Sequence, residues 1–187
     1  NEALHYIEPH HKKSILCNLW DIGQAIQKRN VLEINYEKLG SANTVHRVIE
    51  PVGLLFSEYY FYLAAFIRNI DKDTEFENSD DLFPTIYRID RIRDFKVLAE
   101  HFNVPYRNRF EEGEFRKRVQ FMYGGKLQNV RFRYVGPSIE AVLDRIPTAK
   151  VISESTDGYV IKAEVFGKGI GMWLRSQGDM VKEVCYE

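Results

Sequence analysis

Arginines interleaved with aromatic residues are the side chains of this sequence best suited to chemistry. The segment Tyr87-Arg88-Ile89-Asp90-Arg91-Ile92-Arg93 carries three arginines and one acid. Between Phe115 and Ile139 stand six basic residues, Arg116, Lys117, Arg118, Lys126, Arg131 and Arg133, and no acid. Rings are plentiful beside the strand-like runs: Tyr36, Tyr59, Tyr60, Phe61, Tyr62 and Tyr87. A guanidinium forks phosphate and a ring stacks on a base, so the combination suits a polyanion. The alternative is that the arginines are solvated strand faces and the rings fill the core.

Other chemistry is missing from the pattern. No GxxxxGK[ST], GxGxxG, HExxH, GxSxG or DxDxDG occurs. Gly167-Lys168-Gly169-Ile170-Gly171 precedes a helical stretch and could cradle an anion at its N-terminus, or could simply be a flexible entry turn. His46 and His101 have no neighbouring Cys or Ser that suggests a nucleophile, and His5, His10 and His11 lie in a polar lead-in rather than at metal-ligand spacing. The expectation is a protein that is not an enzyme and needs no cofactor or metal.

Composition sets the frame. The chain has 187 residues, 26 Lys+Arg against 27 Asp+Glu and a net charge of -1, so it is not basic overall, as a histone is. Hydrophobic residues at 44% are enough for a real core. Cys17 and Cys185 are the two cysteines and form no disulfide framework, which predicts a reducing, cytoplasmic setting. No apolar run approaches the roughly 18–20 residues of a membrane span. The first methionine is Met122, so a further segment is expected before Asn1.

The elements that must position these residues follow from periodicity. Ile15, Leu19, Ile22 and Ile26 share one helix face, predicting a helix over 14–29 with Asn30 as its cap. Five short strands follow: Leu32–Tyr36, Thr44–Glu50 ending at Pro51, Leu54–Phe56, Tyr60–Phe66 and Ile86–Ile92. Leu39 to Asn43 reads as a turn, and six acids within 71–81 read as a solvated excursion. Five strands without crossover helices suggest a small barrel or strongly bent antiparallel sheet.

The charge-dense stretch 107–118 is the expected linker. Beyond it come strand Val130–Tyr134, a helix capped by Ser138, strand Lys150–Ser153 and a hairpin turn at Thr156-Asp157-Gly158. Strand Tyr159–Phe166, a helix through Ile170, Trp173 and Leu174 closed by Gly178, and strand Met180–Tyr186 complete the chain. That order, β-α-β-β-α-β, is the ferredoxin-like plan. The expected division is a lead-in 1–13, a first domain 14–106, the linker and a second domain 119–187. The fold class is α+β.

Several landmarks occur together in order. They are Gln24-Ala25-Ile26, Ile34-Asn35-Tyr36, Arg47-Val48-Ile49-Glu50-Pro51, Gly53-Leu54-Leu55, Phe61-Tyr62-Leu63 and Tyr87-Arg88-Ile89-Asp90-Arg91-Ile92. In this the first domain resembles the WYL domain of bacterial transcriptional regulators, with Phe61 where Trp is usual. Residues 107–187 resemble the C-terminal extension often joined to it, with Trp173-Leu174 and Gly178 in place.

The resemblance implies an Sm-like, SH3-type barrel. It implies a winged helix-turn-helix before this chain that binds DNA, and a C-terminal extension that dimerises. It also implies a sensor pocket for single-stranded nucleic acid or a nucleotide-like ligand. By position, the implied ligand contacts are Tyr36, Arg47, Tyr62, Arg88 and Arg91. Arg47 and Arg91 would pair phosphate, and Tyr36 and Tyr62 would stack or hydrogen-bond. Arg88 and Asp90, two apart on one strand, would share a face and pair. A small-molecule nucleotide sensor and a purely protein-binding module are the rival readings.

Overall fold

A computed structural model describes residues 15–38, 43–57, 59–69, 84–103 and 112–187. The lead-in with His5, His10 and His11, most of the expected turn at 39–43 and the acidic stretch 71–81 lie outside the described residues. The chain divides into two compact units, with described residues 15–103 in the first and 112–187 in the second. Both are mixed α and β, and each has its own antiparallel sheet.

The first unit opens with α1 (Leu16–Lys28), which buries Ile22 and Ala25 against the sheet. Its end differs from expectation. Arg29, not Asn30, adopts the left-handed capping conformation, at φ 56°. Asn30 already begins β1 (Asn30–Glu37), and its side-chain Nδ2 donates to the Leu98 carbonyl at 2.9 Å, tying the far strand of the sheet.

The five strands are divided differently from the sequence reading. Thr44 to Ser57 is one strand, β2, running through Pro51. A register shift between Pro51 and Gly53 accommodates the missing proline N–H, so the chain bends instead of ending. After β3 (Tyr60–Ile67), the expected strand Ile86–Ile92 is broken. β4 (Thr85–Arg88) gives way to a single 3₁₀ turn, Ile89–Arg91, and β5 (Ile92–His101) follows. Ile89 and Asp90 are buried within that turn.

The sheet order is β4-β3-β2-β1-β5, all antiparallel. No β4–β5 pairing forms among the described residues, so strand pairing leaves the expected barrel open. The 3₁₀ turn carries the chain from one edge strand to the other. One face of the sheet packs Leu32, Ile34, Ile49, Leu63 and Tyr87 into the core with Ile22 of α1.

The second unit begins inside the expected linker. Residues 112–118 form a helix, α2 (Glu112–Arg118), because Phe115 has somewhere to go: its ring stacks on Phe166 at 5.9 Å. Then come β6 (Leu127–Tyr134), α3 (Ile139–Arg145), β7 (Lys150–Ser155), β8 (Gly158–Phe166), α4 (Gly169–Ser176) and β9 (Val181–Tyr186). This is the β-α-β-β-α-β order read from the sequence. The Ser138 hydroxyl accepts from the Ala141 N–H at 3.3 Å, the cap expected for α3. The sheet order is β7-β8-β6-β9, again antiparallel throughout. Val130, Phe132, Tyr134, Ile161 and Ala163 form a core with Val142 and Ile146 beside α3 and with Ile170, Trp173 and Leu174 of α4. Both helices therefore cover one face of the sheet.

Candidate ligand-binding site

Alternation along β3 sorts its aromatic residues. Phe61 and Leu63 face the core, and at its edge Phe61 also meets the exposed ring of Phe56 at 4.8 Å. The position usually held by Trp is thus a packing position here. Tyr60 and Tyr62 point to the opposite face, their rings edge to face at 6.4 Å. Tyr62 stands opposite Arg88 in the β3–β4 register, so Arg88 shares that face.

Arg88 is held on two sides. Its guanidinium lies 3.5 Å above the Tyr60 ring centre. Its Nε and Nη2 donate to the two Asp90 carboxylate oxygens at 3.1 and 2.8 Å. The expected pair exists, but the 3₁₀ turn makes it, not strand alternation. Asp90 is only 6% exposed, and a buried carboxylate needs such a partner. Burial works against the Arg88 charge, yet the Asp90 bonds and charge outweigh it and raise its pKa above the usual arginine value.

Tyr36, at the end of β1, reaches the same corner. Its hydroxyl accepts the Arg88 backbone N–H at 3.4 Å, and its ring meets Tyr87 edge-on at 4.9 Å. Burial raises the phenol pKa, and the Arg88 hydrogen bond with the positive charges of Arg91 and Arg88 offsets part of that rise. Arg91 ends the turn, half-buried, and makes no ion pair among the described residues. Tyr62 and the Arg88 side chain thus share one face of the sheet, Tyr36 touches the Arg88 backbone from the core side, and Arg91 lies three residues on in the same turn. Arg47 stands elsewhere, on β2 opposite Ile34, where its Nη1 donates to the His46 carbonyl at 3.3 Å.

Tyr60 is the residue that sequence reasoning missed as a partner of Arg88. Its signal was there: two residues before Tyr62, it must share that face once the β3–β4 register is known. Asp90 also lines a cavity of about 420 Å³ with Ile15 and Asn18 at the start of α1 and with Glu37, Ile89, Ile92 and Arg93.

The remaining sequence candidates have structural roles. The His46 Nε2 meets a Glu33 carboxylate oxygen at 2.7 Å, and the His101 Nδ1 meets the Lys28 carbonyl at 2.8 Å. In the Gly167–Gly171 stretch, a Cβ on Gly167 would meet the Gly124 carbonyl at 2.2 Å. One on Gly169 would meet the Gln120 carbonyl at 2.0 Å. Close packing accounts for these two glycines. Among the described residues no group of three or more His, Cys, Asp or Glu could hold a metal ion, and no helix is long and apolar enough to cross a membrane.

Comparison with known proteins agrees with the landmarks. No curated protein matches the chain. Among solved structures it is similar to proteasome accessory factor B/C (PafBC) of Arthrobacter aurescens, at 15% identity and a TM-score of 0.42, over 88% of this chain. It spans only 24% of that longer structure. The family model that matches is the WYL domain, over residues 18–97. Those residues run from within α1 to β5 and include Tyr36, Arg47, Tyr62, Arg88 and Arg91, so this part of the chain matches a WYL domain.

Proposed function

We propose that the chain is the ligand-sensing and dimerising region of a bacterial, cytoplasmic transcriptional regulator. Its ligand is anionic, a single-stranded nucleic acid or a nucleotide, and it performs no chemistry on it. DNA is contacted through a domain outside this chain. The coiled five-strand sheet, with its ends joined by the 3₁₀ turn, is an Sm-like frame for that ligand, and the second unit is the ferredoxin-like dimerising extension.

One observation carries this reading. Arg91 is a half-buried cation with no ion pair among the described residues, its charge acting on the Tyr36 phenol and its place in the turn three residues after Arg88. A half-buried charge without a partner is costly unless something anionic completes it. A guanidinium such as that of Arg88, already seated over one ring, can take a second ring on its other side.

The test is fluorescence anisotropy of labelled single-stranded DNA at two salt concentrations. Binding should weaken with salt, with a slope near 0.7 per phosphate neutralised, and Arg91→Ala should abolish most of it. Binding of a mononucleotide with little salt dependence would identify the nucleotide-sensor alternative. Equal affinity in both proteins would overturn the Arg91 site. The engagement of Arg88 by Asp90 favours a second reading, an interaction module in which these arginines hold the fold and no ligand binds.

A further inference from the structure

In the second sheet α3 and α4 cover one face, while on the other α2 reaches the Glu164 to Phe166 end of β8 through Arg118 and Phe115. On that other face, the register sets like charges directly opposite one another. Lys150 on β7 stands opposite Lys162 on β8. Lys162 stands opposite Arg131 on β6. Arg133 on β6 stands opposite Lys182 on β9. Cross-strand partners point to the same side, so three strands contribute one row of three cations, with a second pair beside it.

Directly opposed like charges destabilise a sheet. A sequence that breaks a local rule three times on one face gains something elsewhere. Nearby carboxylates offset it only in part, Glu183 acting electrostatically on Arg131 and Lys182 and Glu187 on Arg131. Glu164 is taken by Arg118 at 2.5 Å, Glu183 by Arg133 at 2.9 Å and Glu187 by Lys162 at 2.6 Å. Arg131, Lys150 and Lys182 are exposed and form no ion pair among the described residues. Beside the row lies a hollow of about 360 Å³ walled by Arg118, Lys150, Lys162 and Asn129 together with Glu164, which Arg118 neutralises, and the exposed Ile152.

We propose that this open face binds the phosphodiester backbone of a nucleic acid without reading its bases. Neighbouring strands lie about 4.8 Å apart, so the row presents cations at short intervals that long, flexible Lys and Arg side chains can adjust to phosphates. The row has no aromatic ring on which a base could stack, which separates it from the Tyr60–Arg88 corner. The row itself offers no apolar pocket of the kind on which a protein interface is anchored, and Ile152 beside it is exposed, which argues against an acidic protein partner. Charge alone suffices for backbone contact. This site is independent of the first unit's pocket and does not rest on it.

The experiment uses the whole chain and a fluorescein-labelled abasic phosphodiester oligomer. The double variant Arg131→Gln/Lys150→Gln should bind it about tenfold more weakly. Its salt slope should fall by about 1.4, two contacts at about 0.7 each. Lys96→Gln, an exposed cation on β5, should change neither quantity. Thermal unfolding of the double variant should show an unchanged or higher midpoint, because like-charge pairs are relieved, so lost binding cannot be put down to lost fold. Unchanged affinity and slope in the double variant would overturn the proposal. So would competition by polyglutamate as effective as that of the oligomer at equal charge, or binding of base-bearing DNA with none of the abasic oligomer.

Discussion

The guanidinium of Arg88 lies 3.5 Å over the ring of Tyr60 while its fork is closed on Asp90. The plane of the side chain and its hydrogen-bonding edge are thus fixed by different neighbours. The first unit's candidate site is built around that doubly held arginine, and substitutions there separate what each hold contributes.

Asp90→Asn removes the carboxylate charge and leaves Arg88, 24% exposed, without its counter-ion. Breaking one side of such a pair should destabilise the chain by about 2 kcal/mol, less than for a fully buried pair. Urea unfolding measures it. Arg88→Met/Asp90→Leu should recover part of the loss, since no charge is then stranded.

Tyr36 gives a signal at high pH. Its folded pKa lies above the ordinary 10.0, chiefly through burial. The stability it contributes is complete below 10.0 and is lost as pH rises through the higher folded value. In alkaline spectrophotometric titration, Tyr36→Phe should remove a late-titrating phenol. Its stability should fall less steeply than wild type across that window. An early-titrating Tyr36 would contradict the buried corner.

Glu114 gives the opposite sign at low pH. Hydrogen bonds from Lys117 and Arg118, with their charges, hold its carboxyl down to about 2. The stabilisation from its ionised form is therefore present above the ordinary 4.5 and is lost as pH falls towards 2. Carbon-detected NMR titration should find Glu114 the late carboxyl to protonate on α2, and Lys117→Gln should move it back up.

Two glycines test the packing of the second unit. Gly167 combines φ 61° with a Cβ position only 2.2 Å from the Gly124 carbonyl. Gly167→Ala should cost more than about 2 kcal/mol, through backbone strain and overpacking together. Gly113→Ala on α2, where nothing lies within 4 Å, should instead stabilise by about 0.5–1 kcal/mol. Thermal unfolding of both decides the matter.

Much of the second unit was legible because its signals are local. Ser138 caps α3, Asp157-Gly158 turns the hairpin, and apolar spacing marks α4 at Ile170, Trp173 and Leu174. The first unit was less so. Pro51 reads as a stop, but a register shift turned it into a bend. The run Tyr87 to Ile92 alternates well enough to read as a strand. Only the tertiary demand to bury both Ile89 and Asp90 breaks it into a turn. The candidate corner inherits that limit. Arg88 and Asp90 were legible as a pair by proximity. Tyr60 was not, because its meeting with Arg88 depends on a register set by residues far along the chain.

The position of β1 in the first sheet bears on how the chain is made. β1 lies between β2 and β5, the Arg29 carbonyl accepts from the Phe102 N–H at 3.0 Å, and Asn30 reaches Leu98 across 68 positions of sequence. A nascent chain leaving the ribosome can therefore form the β1–β2 hairpin early. It cannot cover the second side of β1 until residue 101 has emerged. Until then β1 offers one bare hydrogen-bonding edge, and closing it is a long-range step that should set the pace of folding for the whole unit.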